Sequence, residues 1–232
     1  MKIKHGMILA AGIGKRMQPL TNKKPKPLLE IRGISLLERA INLLINHGVE
    51  EITVNIHHLA DQIEKFISDF KSEVKIKMSN EKDLLLNTGG GVKKGTKEFM
   101  DNPFFVINPD TLWSNKYSEE VKSLEKEYFI NKRPCLLIVK KELSLDNSFK
   151  GDFNLKNNLI FKDEQNQYIF TGLQIMKNVH LSFFKKNIFS MNEVWTKLIS
   201  ENNLCGLESN QKFYHLNTTE MFEKISSSSS ID

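Results

Sequence analysis

An apolar run, Met7-Ile8-Leu9-Ala10, passes directly into the turn Ala11-Gly12-Ile13-Gly14. Two fixed cations, Arg16 and Lys26, follow. The run reads as a buried strand. The small residues let the backbone come close to a ligand and leave amides free to face it. Arg and Lys are suited to phosphate oxygens. A chain that begins this way is constrained to place a polyanion at the end of its first strand, and a nucleoside triphosphate meets that description. Two familiar phosphate loops are excluded. The dinucleotide fingerprint needs a third glycine where Met17 stands. The Walker loop needs Ser or Thr after Gly-Lys and a first glycine upstream, but Arg16 follows Gly14-Lys15 and Leu9 holds the glycine position.

The rest of the first half alternates strand and helix, which implies a mainly parallel sheet with right-handed crossovers. Ser35-Leu36-Leu37-Glu38 predicts a capping box, and Gly48 ends its helix. The spacing predicts strands at 51–56, 74–78, 104–107 and 135–139, and helices at 58–70, 88–99 and 117–130. Later the pattern turns antiparallel, with strands predicted at 151–161 and 168–175. Ser190-Met191-Asn192-Glu193 opens a further helix, 205–208 and 213–217 read as short strands, and 219–225 is a last helix. The expected organisation is one domain over 1–225 and a flexible serine-rich tail over 226–232.

Composition narrows the function. At 232 residues, 40% hydrophobic and 26% charged, the chain is an ordinary globular protein with ample length for a core. No apolar stretch approaches the ~20 residues that cross a bilayer. No cleavable leader is apparent, and the expected location is the cytoplasm, with no membrane partner. Cys135 and Cys205 lie in apolar runs and read as buried thiols rather than a disulfide or metal ligands. The net charge is +5, but the lysines are spread out and no nucleic-acid motif is visible, so no nucleic-acid partner is expected. His57 and His58 read as capping or surface residues. No Ser-His-Asp or Cys-His set suggests covalent catalysis.

Ligands of open α/β sheets bind beyond the carboxyl ends of the strands, at a switch point. Three segments lie at such ends: the glycine loop, Thr88-Gly89-Gly90-Gly91, and Asn108-Pro109-Asp110. Leu9, Ala10, Ala11, Gly12, Gly14, Arg16, Met17, Pro19, Leu20, Thr21, Pro25, Lys26, Pro27 and Leu28 together match LAAGxGxRM-x-PLT…PKPL. This pattern resembles the signature of the sugar-1-phosphate nucleotidyltransferases, over almost the whole chain, and most closely the short bacterial N-acetylmuramate 1-phosphate uridylyltransferases.

The resemblance implies a Rossmann-like α/β fold of the glycosyltransferase-A type, with a mixed, mainly parallel central sheet flanked by helices. It implies an NTP, with UTP favoured, and a sugar 1-phosphate as substrates, and NDP-sugar and pyrophosphate as products. Arg16, Lys26 and Asp110 take the catalytic places. Leu9, Ala10, Ala11, Gly12, Gly14, Asn80, Glu81, Thr88 and Gly89 take the nucleotide. Asp152, Thr171 and Gly172 take the sugar. The cofactor implied is Mg²⁺ on Asp110, bridging the α-phosphate and the incoming phosphate. Where the family's late strand reads Asp-Val-Gly-Thr, this chain has His215-Leu216-Asn217-Thr218. Three readings of this replacement stay open: His215 contacts phosphate or ligates the metal, Asp110 and the phosphates hold the metal alone, or turnover is weakened. Mannose-1-phosphate guanylyltransfer and a non-catalytic NDP-sugar sensor stand as alternatives. The expected assembly is a monomer or homodimer.

Overall fold

The computed structural model describes residues 1–228, so the last four residues of the predicted tail lie outside it. The chain runs β1 (His5–Leu9), the ribbon β2 (Glu30–Ile31) and β3 (Ile34–Ser35), α1 (Leu36–His47), β4 (Glu51–Ile56), α2 (Ala60–Asp69), β5 (Lys75–Asn80), α3 (Asn87–Gly95), β6 (Phe104–Ile107), α4 (Ser118–Asn131) and β7 (Cys135–Lys140). The hairpin β8 (Asn154–Lys156) and β9 (Leu159–Phe161) follows, then β10 (Tyr168–Met176), α5 (Met191–Ser200), β11 (Cys205–Ser209) and α6 (Thr219–Ser227).

Nine strands form one sheet in the order β5-β4-β1-β6-β10-β7-β11-β9-β8. The pairs β1–β4, β1–β6, β4–β5 and β7–β11 are parallel. β10 runs antiparallel between β6 and β7. The mixed, mainly parallel sheet expected from the sequence is present. Winding proceeds outward from β1 through β4 to β5, then returns to lay β6 against the other edge of β1. The carboxyl ends of β1 and β6 therefore flank a switch point, where an open α/β sheet leaves a crevice.

Alternation along the strands separates two cores. Ile8, Val54 and Ile107 pack beneath α1, α2 and α4. Met7, Val106 and Leu136 face Val92 of α3 and Val194 and Trp195 of α5. A third cluster joins Met17, Ile31, Leu36, Leu112, Leu216 and Met221, and so ties the segment after β1 to the ribbon and to α6.

Helix starts follow local chemistry. Ser35 Oγ accepts from the Glu38 amide at 3.1 Å. Ser190 and Glu193 form a reciprocal capping box. Each cap contributes about 1 kcal/mol. Cys135 and Cys205 are register partners on β7 and β11, and both are buried free thiols, as expected.

Three expectations are corrected. The strand read over 151–161 is instead the hairpin of β8 and β9, because Asn157 and Asn158 take positive φ and turn the chain back on itself. Residues 213–217 do not form a strand. They make only isolated bridges, Ser144 with Phe213 and Thr111 with His215, because the chain there crosses the strand ends rather than joining an edge. The last helix extends through Ser227 into the predicted tail, where Ser226 Oγ bonds back to the Phe222 carbonyl. No helix among the described residues is long and apolar enough to cross a membrane.

Candidate active site

A cleft of about 350 Å³ opens at the switch point. Leu9, Ala11, Gly12, Gly14, Arg16, Lys26, Glu81, Thr88 and Asp110, all singled out from the sequence, line it. Lys15, Asn55, Leu85, Asn87, Asn108 and Asn217 also line it and were not singled out as site residues.

The glycine loop is built for close approach. Gly14 has φ 69°, and a Cβ there would meet Thr21 Cγ2 at 2.9 Å, so a side chain would be strained and crowded. A Cβ at Gly12 would meet nothing within 4 Å. Among the described residues, no hydrogen bond engages the amides of Gly12, Ile13 or Gly14. The Arg16 guanidinium is exposed and makes no hydrogen bond or ion pair among the described residues. The loop is braced from behind. The Ala10 amide donates to Asn55 Oδ1 at 2.7 Å, and Asn55 Nδ2 donates to Glu81 Oε1 at 2.8 Å. Thr21 Oγ1 donates to the Gly14 carbonyl at 2.9 Å, and His58 Nε2 lies 2.9 Å from the Thr21 carbonyl. His57 Nδ1 lies 2.7 Å from the Glu81 carbonyl. The two histidines thus staple loops rather than cap a helix.

Asp110 leaves the end of β6. Trp113 Nε1 donates to the Asn108 carbonyl at 2.7 Å, and the Asn108 amide donates to the Gly172 carbonyl at 2.8 Å, which fixes the backbone before the carboxylate. Lys26 Nζ donates to Asp110 Oδ2 at 2.6 Å, and His215 Nε2 lies 3.2 Å from the same oxygen. Burial alone would raise the Asp110 pKa. The charges and hydrogen bonds of Lys26 and His215 outweigh it and hold the carboxyl far below its ordinary value. Asp110 Oδ1 is buried with no hydrogen-bond partner among the described residues. An unsatisfied buried acceptor costs about 1–3 kcal/mol, so the site is shaped for something that approaches Oδ1.

Asn217 is 7% exposed, and its Nδ2 donates to Asp146 Oδ2 at 3.0 Å. Its Oδ1 is also buried without a partner. Partial burial alone would raise the Asp146 pKa, but hydrogen bonds from Ser148 and Asn217 leave the carboxyl below its ordinary value.

Several predicted contacts lie elsewhere. Gly89 is outside the cleft lining, and its amide is occupied by the Phe189 carbonyl at 2.9 Å, as is that of Gly90 at 3.1 Å. The glycines let the segment 187–189 seat against α3, since a Cβ at Gly90 would stand 2.0 Å from the Asn187 oxygen. Glu81 is buried and both its oxygens are used, Oε1 by Asn55 and Oε2 by the Leu86 amide at 2.9 Å. It braces the loop, and each of its oxygens already has a protein partner. Asn80 is exposed on β5, outside the cleft lining, and its Oδ1 accepts from the Lys82 amide at 2.7 Å. Ala10 supports the loop through its amide and does not line the cleft. Thr88 does line it, and its Oγ1 accepts from the Met191 amide at 2.8 Å, which leaves the hydroxyl proton available.

On the expected sugar side, Thr171 is 1% exposed and its hydroxyl donates to the Leu137 carbonyl at 2.8 Å. Asp152 Oδ2 accepts from the Phe170 amide at 2.9 Å. Gly172 passes against Asn108 behind the cleft. All three serve the backbone around β10. His215 does not line the cleft. Its ring sits 5.7 Å from that of Phe149 and 5.8 Å from that of Phe213, and its Nδ1 is buried without a partner.

Of the missed residues, Asn55 carried a signal: it is the one amide inside the apolar strand Glu-Ile-Thr-Val-Asn-Ile. Asp146 and Lys15 carried none. A divalent cation fits the cleft in one way. Among the described residues no three His, Cys, Asp or Glu side chains gather as a ligand group. Mg²⁺ does not need one. It takes one or two protein oxygens and completes its shell with phosphate and water, and the unpartnered Asp110 Oδ1 is such an oxygen.

Residues 5–142 match the family described as Nucleotidyl transferase. The N-acetylmuramate alpha-1-phosphate uridylyltransferase of Caulobacter vibrioides is 30% identical over 221 residues, covering 92% of this chain and 91% of that protein. The protein of the same name in Neisseria meningitidis serogroup B is 40% identical over 107 residues, covering 46% of each chain. The inositol-1-phosphate CTP transferase of T. maritima superposes with a TM-score of 0.79 over 100% of this chain and 99% of that one, at 19% identity. HddC of Yersinia pseudotuberculosis complexed with GMP-PN superposes at 0.78, covering 97% and 98%, at 21% identity. At these identities the superpositions establish the fold. Together with the family match across the glycine loop and Asp110, and the relative matched over nearly its whole length, they make this chain a member of the nucleotidyl transferase family, with the activity of a sugar-1-phosphate nucleotidyltransferase.

Proposed function

We propose that this chain transfers the uridylyl group of UTP to N-acetylmuramate 1-phosphate, or a related N-acetylated hexose 1-phosphate, in cell-wall recycling in the cytoplasm. The observation that carries the transfer reading is the convergence in one cleft of free loop amides, an unpaired Arg16 and the Lys26–Asp110 pair. The base and the sugar rest on similarity to the full-length Caulobacter relative.

An oxygen of the sugar phosphate attacks the α-phosphorus in line. The bond from that phosphorus to the bridging oxygen breaks, and pyrophosphate leaves with its electron pair. The attacking phosphate is anionic at neutral pH, since its second pKa is about 6, so no general base is required. Catalysis is then positioning and charge neutralisation. Arg16 and the amides of Gly12 to Gly14 receive the triphosphate. Lys26 and Asp110 neutralise each other until ligand enters, after which the ammonium turns to the phosphates. Mg²⁺, when bound at Asp110, supplies positive charge to phosphate oxygens. Leu85, Asn87 and Thr88 form the wall available to the base, and Asn108 borders the acceptor side.

Arg16→Ala is expected to lower kcat/KM by at least about 100-fold, the usual loss for a group that meets developing charge. Its urea midpoint should not move, because the guanidinium is exposed and makes no hydrogen bond or ion pair among the described residues. Lys26→Ala should show a similar kinetic loss together with a lower midpoint, because it strips Asp110 of its closest partner. Near-normal turnover of both variants would remove the triphosphate role.

The substrate is tested by pyrophosphate release for four NTPs against a panel of sugar 1-phosphates. UTP with N-acetylmuramate 1-phosphate is expected to be fastest. A site that pairs a base edge rejects the wrong base strongly, because its polar groups are left unpaired. Turnover of GTP with mannose 1-phosphate, and none of UTP with any amino-sugar phosphate, would overturn the substrate while leaving nucleotidyl transfer intact. No pyrophosphate from any pair would point to a sensor.

A further inference from the structure

We propose that Asn217, oriented by Asp146, supplies the second protein oxygen for the divalent cation, and that His215 does not coordinate it. The inference rests on the nucleotidyl transfer reading above and concerns how this chain completes its cation site.

Asp110 Oδ1 and Asn217 Oδ1 are both buried, both acceptors and both without a hydrogen-bond partner among the described residues. Both residues line the one cleft. Their backbones are held together, since the Leu216 amide donates to the Asp110 carbonyl at 2.8 Å. The direction of the Asn217 amide is settled by its partner. A carboxylate only accepts, so Asp146 Oδ2 must face Nδ2, at 3.0 Å. The carbonyl oxygen is thereby turned away from Asp146. Asp146 is itself anchored, with Oδ1 accepting from the amide and hydroxyl of Ser148 at 2.9 and 2.6 Å. An amide carbonyl fixed by an outer carboxylate is a hard oxygen donor suited to Mg²⁺ or Mn²⁺.

His215 is placed differently. Its Nε2 is directed at Asp110 Oδ2, the oxygen already taken by Lys26. Its other nitrogen is enclosed, and Phe149 and Phe213 flank the ring. Imidazole is also a poor match for hard Mg²⁺. The ring is better suited to holding the Asp110 carboxylate in orientation than to entering the coordination shell.

The test uses the full chain and Mn²⁺ as probe, with free Mn²⁺ counted by electron paramagnetic resonance and folding followed by urea unfolding. Asn217→Leu is expected to weaken Mn²⁺ binding at least about 10-fold, and Asp146→Ala to do so about 10-fold, as outer-sphere partners usually do. Asp146→Asn keeps an acceptor for Asn217 Nδ2 and should restore most of the affinity. The double variant Asn217→Asp with Asp146→Asn keeps an oxygen ligand, adds charge and keeps a donor facing an acceptor between the two side chains, so it should bind Mn²⁺ at least as tightly as the parent chain. It carries the test if the leucine variant does not fold. Electron spin-echo spectra of bound Mn²⁺ should show no imidazole nitrogen coupling. Unchanged affinity in Asn217→Leu would mean that this oxygen meets water instead, and would overturn the inference, as would weakened binding in the Asn217→Asp, Asp146→Asn double variant or an imidazole coupling. If Asp110→Asn also binds Mn²⁺ like the parent chain, the cation reading of the cleft fails with it. If only the Asn217 and Asp146 variants are silent, that reading survives and this inference alone is lost.

Discussion

Asp110→Asn is expected to lower kcat/KM by about 100- to 1,000-fold or more, the range measured when a preorganised charge-stabilising group is removed. The substitution keeps size and shape, so the loss reads charge and donor character rather than packing. Three functions fail at once. Lys26 loses the partner at 2.6 Å that positions it. His215 loses the oxygen it faces at 3.2 Å. The free Oδ1 no longer carries the charge that a cation needs. His215→Ala should cost less, because it removes an orienting contact and leaves the carboxylate. Stability should also fall, by less than the ~3–5 kcal/mol of a fully buried broken pair, since the Lys26 and Asp110 side chains keep 14% and 23% of their surface. The sign with pH follows from the depressed Asp110 pKa. Its contribution is fully present above the ordinary carboxylate pKa of about 4 and is lost only as pH falls through the lower folded-state value. The stability gap between parent and Asp110→Asn should therefore be level from neutral pH down to about pH 5 and close only in stronger acid. Equal turnover of the two proteins, or a gap that closes near neutrality, would contradict this account.

Gly90→Ala is expected to cost at least about 3 kcal/mol in urea unfolding, without any residue of the cleft being touched. A Cβ at position 90 would lie 2.0 Å from the Asn187 oxygen and 3.0 Å from Leu86 Cβ. The first neighbour is backbone and cannot rotate away. The segment 187–189 would have to lift from α3 and break the bonds that the Gly89 and Gly90 amides give to the Phe189 carbonyl. Gly12→Ala is the contrast. No described residue lies within 4 Å of its Cβ, so the unfolding midpoint should stay within about 1 kcal/mol of the parent, while the added methyl intrudes where the proposed function puts the triphosphate. If Gly90→Ala kept the parent's midpoint and lost only turnover, the triple glycine would belong to the ligand after all.

These two glycines mark how far the sequence could be read. Local signals were sound. The apolar run before Gly12 is a central strand, Phe104 to Ile107 is a buried strand that delivers Asp110, and a one-way Ser35 cap and the reciprocal Ser190–Glu193 box start helices. Each of these depends on residues a few positions apart, and short-range sterics and hydrogen bonds act over that distance. The predicted strand at 213–217 failed because alternation does not reveal whether a neighbouring edge is available. Thr171, Glu81 and Gly89 were residue types fit for ligands, yet each had its polar group engaged by a partner elsewhere in the chain.

By itself the sequence determined a mixed, mainly parallel sheet flanked by helices, a glycine loop at the end of the first strand and the family to which the chain belongs. Those follow from periodicity and from a contiguous motif. Only the tertiary structure decided which polar atoms remain free. It occupied the Gly89 amide with Phe189, both oxygens of Glu81 with Asn55 and Leu86, and the Thr171 hydroxyl with Leu137. Among the described residues it left Arg16, Asp110 Oδ1 and Asn217 Oδ1 without hydrogen-bond partners at the switch point. A hydrogen-bonding group is available to a ligand only when no protein group has satisfied it, and that is a property of the packed chain rather than of any residue in it.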